Sequence, residues 1–183
     1  MTALILASVI SSNAQSTVFK PFKVDLALGY AMPGGSGSKG GVLFAVEPKY
    51  AVNDNIALGL RMEAAVMARA VTNSTGDEFT GDVKASGSYL LTADYYFNTN
   101  SFRPFAGIGT GIFSNAAVAV NSGTAESEVA ASTKFGVTPR VGFEAGHFRM
   151  AVEYNVVGKT GSINNNYLGI KIGAFIGGGR KSK

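Results

Sequence analysis

Eight stretches of this chain place an apolar or small uncharged residue at every second position, and not one of those positions holds a charge. The first runs Phe22, Val24, Leu26, Leu28, Tyr30 and Met32, interleaved with Lys23, Asp25, Ala27, Gly29 and Ala31. A period of two belongs to a β-strand with unlike faces, whereas a helix repeats at about 3.6 residues. The pattern recurs over 42–52, 56–66, 89–97, 102–112, 135–143, 148–156 and 168–176. Connections between the stretches alternate in length. Short ones fall at Asn53–Asn55, Asn98–Ser101 and Gly146-His147; long, polar ones fall at Pro33–Gly40, Val71–Ala85, Ser114–Thr133 and Val157–Asn165. The fold class expected is all-β: an eight-stranded antiparallel up-and-down barrel, spanning a membrane, with short turns at one rim and longer loops at the other.

Composition decides which way the faces point. The chain has 183 residues, 46% hydrophobic and only 15% charged, with 24 glycines. A soluble, lipocalin-like ligand-binding barrel is the alternative, and it would turn the large apolar face inward. Eight strands bearing five or six such residues each would overfill an interior wide enough only for side chains or one small ligand. Its exterior would then be glycine, alanine and isolated charges, a poor solubilising surface. With the faces reversed, the apolar side meets lipid and the small and charged side fills a narrow lumen. A closed barrel also satisfies every backbone hydrogen bond internally, as lipid requires. Aromatics support this reading. Tyr50, Phe97, Phe102, Phe143 and Phe148 lie toward the short turns, and Tyr30, Tyr89, Phe135 and Tyr154 toward the loops, as two girdles at the headgroup regions would.

Turn geometry then pairs the inner charges. A two-residue turn at Gly146-His147 sets Ala145 opposite Phe148, Glu144 opposite Arg149 and Arg140 opposite Glu153. A turn symmetric about Asp54 sets Glu47 opposite Arg61. Closing the next short turn with Phe97 facing Phe102 places Asp94 diagonal to Arg103. The inward candidates number nine basic residues (Lys23, Lys49, Arg61, Arg69, Arg103, Lys134, Arg140, Arg149 and Lys171) and six acidic ones (Asp25, Glu47, Glu63, Asp94, Glu144 and Glu153). Toward the loops the inner face reads small or polar at Ala27, Gly29, Ala31, Ala45, Ser86, Ser88, Gly109, Gly111, Gly136 and Gly169. Those positions admit a second reading, a narrow pore or binding cup for small solutes opening outward above a charged floor.

Several chemistries are excluded. The sequence has no cysteine and one histidine, so disulfides, thiol catalysis and Cys- or multi-His-ligated metal are out. His147 falls in a short turn, so no catalytic residue, cofactor or metal site is expected and the chain reads as a non-enzyme. Gly107, Gly109 and Gly111 lie inside a strand with no helix following, which excludes a phosphate-binding loop. The net charge of +4 resides largely in the inner face, so nucleic acid is not an expected partner. Expected partners are membrane lipid and a surface ligand or protein met through the loops. In the longest loop, Ala116, Val118 and Val120 precede the turn signal Asn121-Ser122-Gly123. Strands five and six therefore either run on as a protruding β-ribbon or give way to an irregular loop.

The segment Arg103-Pro104-Phe105-Ala106-Gly107-Ile108-Gly109-Thr110-Gly111, a basic residue, proline and aromatic followed by alternating glycines, resembles a strand motif of the small outer-membrane β-barrel family. That family comprises the OmpA/OmpX-type eight-stranded barrels of Gram-negative bacteria. The likeness covers roughly Lys20 to Gly177. It implies the bacterial outer membrane, periplasmic short turns, extracellular loops and a structural or surface-interaction role. Residues 1–15 read as a signal peptide without a basic start, cleaved after Ala14, and the Asn13-Ala14-Gln15 junction is similar to exported Bacteroidetes proteins. Residues 20–177 form the barrel domain and 178–183 a basic tail. Family chains often end on an aromatic in the last strand, whereas here Phe175 is followed by Ile176, three glycines and Arg180.

Overall fold

The computed structural model describes residues 18–34, 38–72, 78–119, 129–160 and 163–181. The proposed signal peptide, the Asn121-Ser122-Gly123 turn and the last two residues of the tail lie outside them. Eight strands close into one antiparallel barrel: β1 (Phe22–Pro33), β2 (Ser38–Ala51), β3 (Ile56–Thr72), β4 (Glu78–Tyr96), β5 (Phe102–Ala119), β6 (Val129–Ala145), β7 (Phe148–Asn155) and β10 (Tyr167–Gly177). Each pairs with its sequence neighbour, and β1 pairs with β10 to close the wall. Between β7 and β10, β8 (Lys159–Thr160) and β9 (Ile163–Asn164) form a small separate ladder.

Side chains alternate across the wall as the period of two requires. Leu28 is 64% exposed and Leu91 67%, while the intervening Asp25, Arg61, Asp94 and Arg140 are buried. A wall that is oily outside and charged inside is stable only where the outside is not water. The girdles form as expected near the turns, where Phe143 stacks against Phe102 at 5.1 Å and Phe148 at 6.1 Å. Gly146 adopts φ +62° and among the described residues no non-glycine takes a positive φ, so the Gly146-His147 turn is type II′ rather than I′. Its register pairs Ala145 with Phe148, Glu144 with Arg149 and Arg140 with Glu153.

Four connections differ from expectation. Three of the long loops are shorter because the strands run on: β2 starts at Ser38, β3 reaches Thr72, β4 starts at Glu78, β5 reaches Ala119 and β6 starts at Val129. The ribbon alternative is therefore the one the backbone adopts, although it comprises β3 and β4 as well as β5 and β6. The turn after β4 also shifts register by two. Tyr96 pairs with Phe105, and the Phe97 amide donates to the Pro104 carbonyl at 3.0 Å, so Phe97 does not face Phe102. The Asn98 side chain accepts from the Asn100 amide at 2.9 Å, and this local Asx turn uses residues that a tight hairpin would have paired.

Below the turn rim the segments flanking β1 and β10, residues 18–20 and 179–181, meet. Phe19 bridges Arg180, the Lys20 amide donates to the Gly179 carbonyl at 2.9 Å, and the Lys181 amide to Val18 at 2.9 Å. Residues 178–181 thus extend the β1–β10 seam. Asp54, in the β2–β3 turn, accepts the Val18 amide at 3.0 Å and the Phe19 amide at 3.2 Å. Phe19 is buried by this clasp.

Inner glycines make room for the charges. A Cβ on Gly107 would lie 2.1 Å from Asp94 Oδ1 and 2.7 Å from the Ala93 carbonyl. Gly107→Val is expected to destabilise the barrel by about 3 kcal/mol, the upper end of an overpacking cost, measured by urea unfolding in liposomes.

Candidate functional site

Barrel closure brings seven basic and six acidic side chains, all buried, into one lumen. Arg140 on β6 makes a bidentate fork to Glu47 on β2, with Nη2 to Oε1 at 2.8 Å and Nη1 to Oε2 at 3.1 Å, and its Nε donates to Asp94 at 2.7 Å. Asp94 also receives Lys49 at 2.7 Å and Arg149 at 2.9 Å. Glu144 gathers Lys23, Arg149 at 2.6 Å and the Tyr96 hydroxyl at 2.6 Å on one oxygen. Nearer the loops, Arg61 bonds Glu153, while Lys171 bonds Glu63 and reaches Glu153 at 2.8 Å. Asp25 sits 2.9 Å from Lys49 and 3.4 Å from Arg149.

Register and contact are different things here. Glu144 and Arg149 are both cross-strand neighbours and bonded partners. Arg140 and Glu153 are neighbours too, but 3.8 Å apart, the longest of the Arg140 ion pairs. The β2–β3 register agrees with a turn symmetric about Asp54, since Val46 faces Met62 and Lys49 faces Gly59. Yet Arg61 spends its hydrogen bonds on Glu153 and Asn155, while Glu47 takes Arg140 and the Thr92 hydroxyl. The diagonal Asp94–Arg103 contact does not form, because the register shift after β4 puts Gly107 opposite Asp94. Arg103 is instead sandwiched between the rings of Phe19 and Tyr96, 3.8 and 4.0 Å from their centroids, with Nη2 on the Asp54 carbonyl at 2.9 Å. Of the remaining basic candidates, Lys134 bonds the Lys159 carbonyl, and the Arg69 side chain lies outside the described ones.

Among the described residues no outward cup opens. Above the charges, Leu43, Met67, Leu90, Phe113, Val157 and Tyr167 pack into a buried apolar cluster that fills the space the glycines leave open. Phe113 and Leu90 are fully buried, and a Cβ on Gly136 would meet the Phe113 ring at 2.7 Å. Small residues on one strand accommodate large ones on another, so counting the small ones alone overestimates the space. In the charged layer, the cavity among Asp25, Glu47, Arg61, Arg149, Glu153 and Lys171 measures about 20 Å³, room for about one water.

Besides Thr92, sequence reasoning passed over four residues that tie the network together. Tyr96 accepts from Lys23 and Arg149 at 3.1 Å each while donating to Glu144, and the Tyr167 hydroxyl donates to Glu63 at 2.7 Å. The Thr138 hydroxyl donates to Asn155 at 2.8 Å. All four occupy the charge-bearing parity of their strands, so the alternation itself carries the signal. Among the described residues no cluster of ligating side chains could hold a metal ion.

Three solved structures share this architecture. Neisserial surface protein A superposes with a TM-score of 0.58 at 19% identity, covering 85% of this chain and 96% of its own. OprG from Pseudomonas aeruginosa gives 0.57 at 14% identity, covering 92% and 99%. The N-terminal β-barrel domain of Pseudomonas aeruginosa OprF gives 0.50 at 13%, covering 86% and 99%. At these identities the likeness is one of fold. Comparison with curated proteins finds no match. Residues 1–175 match the outer membrane protein beta-barrel domain family, a match that agrees with an oily exterior, a charged interior and an eight-stranded closed wall. The chain belongs to that family, and it is a bacterial outer-membrane β-barrel.

Proposed function

We propose that this barrel is a non-enzymatic, non-conducting membrane anchor that carries a raised β-wall at the cell surface, where the wall meets a surface ligand or protein. The observation that carries this reading is strand length. A membrane-crossing strand needs about 9–11 residues, yet β3, β4, β5 and β6 have 17, 19, 18 and 17. By contrast β7 has 8 and β10 has 11. The excess lies on the loop side of four adjacent strands, so half of the barrel stands above the lipid as a curved sheet. Such a sheet presents backbone edges and a broad face for recognition. Outer-membrane lipid is the partner of the barrel below it.

Two filled layers argue against the pore: the charged network toward the turns and the apolar cluster toward the loops. Purified protein in a planar bilayer is expected to give no steady single-channel current, and sustained unitary conductance would overturn the non-conducting role. Shortening β5 and β6 together, by removing 114–133 and joining the ends with a tight turn, is expected to leave the heat-modifiable gel band intact while abolishing binding to whichever cell or matrix surface the whole protein recognises.

A further inference from the structure

At the turn rim, opposite the raised wall, a cavity of about 100 Å³ lies between the barrel floor and the clasp of Phe19 and Arg180. Phe19, Arg103, Glu144, His147, Phe175 and Arg180 line it, together with small residues of the rim. Two of its buried polar groups are unused. Glu144 concentrates three donors on Oε1 and leaves Oε2 without a hydrogen bond, its nearest cation being Arg103 Nη1 at 3.9 Å. Arg103 Nε is likewise without a partner. Leaving a buried charged acceptor and a buried charged donor unmatched on one cavity is costly, so a ligand that matches both gains by it.

We infer that this cavity is a binding site for the carboxylate end of a peptide whose last residue is small. The terminal carboxylate would take the donors of Arg103 and Arg180, whose planar guanidinium forks match carboxylate geometry. The adjoining amide N–H would serve Glu144 Oε2. If a water needs roughly 15 Å³ by this measure, 100 Å³ admits about six or seven non-hydrogen atoms, the size of a terminal alanine or glycine and well below a drug-sized ligand. The ring of Phe175, stacked 5.2 Å from His147, gives the apolar wall against which a single methyl group packs. The site faces the short-turn side, which is periplasmic in barrels of this kind. It is independent of the raised wall, so either reading can fail alone.

The test titrates the whole barrel in detergent micelles with N-acetyl-L-alanine, N-acetyl-D-alanine and N-acetyl-L-alaninamide, following the His147 ring and the Gly179 amide by NMR. Saturable shifts are expected with an acid form and none with the amide, and Arg180→Ala is expected to weaken binding at least about tenfold, as the loss of a charge-assisted contact would. Arg180 lies outside the lumen network, so that variant keeps the barrel intact; Glu144→Gln is the companion variant, expected to lose binding of the acid. Preference for the L form assigns the peptide to a protein terminus, and preference for the D form to a cell-wall peptide. Equal shifts with acid and amide, no saturable shift with either acid, or unchanged affinity in Arg180→Ala would overturn the site and leave a cavity that holds water only.

Discussion

Arg140→Ala is expected to cost about 3–5 kcal/mol of folding free energy in liposomes. The guanidinium is buried in the lumen and joins Glu47 and Asp94, two carboxylates from strands on other walls. Removing it strands negative charge where water cannot reach: Glu47 would keep only Lys49 at 3.5 Å and the Thr92 hydroxyl. The coupled variant makes the argument specific. Arg140→Ala together with Glu47→Ala is expected to lose less than the two single losses added, by about 1–3 kcal/mol. Pairing Arg140→Ala with Glu153→Ala is expected to show a smaller coupling, because that contact is the long one at 3.8 Å. Urea unfolding of the four variants in each cycle measures this. Strict additivity for Arg140 and Glu47 would mean that the fork contributes nothing.

Ile172→Arg tests the outer face instead. Ile172 is 54% exposed, midway along β10 and directly between Leu28 and Met150 on the neighbouring strands. An arginine there points at acyl chains near the bilayer centre, where the cost in a barrel is about 2–4 kcal/mol. Ala85→Arg, also exposed but beyond the Tyr89 girdle on the loop side, is expected to cost only about 0–1 kcal/mol. The gradient separates the environments, since on a water-facing wall both substitutions would fall within about 0.5 kcal/mol of zero. The folded fraction on a gel run without boiling, after refolding into liposomes, reads it directly.

Much of the wall was legible beforehand because a strand encodes its own facing. Leu26 and Leu58 point out while Asp25 and Arg61 point in through nothing more than the alternation of Cβ positions along an extended backbone. Register was legible only where a turn is tight and its chemistry local. Gly146 takes the positive φ that a type II′ turn demands, and the ladder beyond it follows residue by residue. The same reasoning failed one hairpin earlier, where the Asn98 side chain competes with strand pairing for the backbone and moves Phe97 onto Pro104.

What sits across the lumen was not legible at all. Arg61 on β3 meets Glu153 on β7, and Arg140 on β6 meets Glu47 on β2, in each case four strands around the barrel. The clasp of Phe19 and Arg180, and the filling of the outer lumen by Phe113 and Leu90, belong to the same class. The physical reason is one of range. Alternation and turns act between residues that share a strand or a hairpin, so the amino-acid order alone determined eight strands, their two faces and their neighbours. Which charge meets which depends on the diameter at which the wall closes and on side chains long enough to span it, and only the closed barrel decides that.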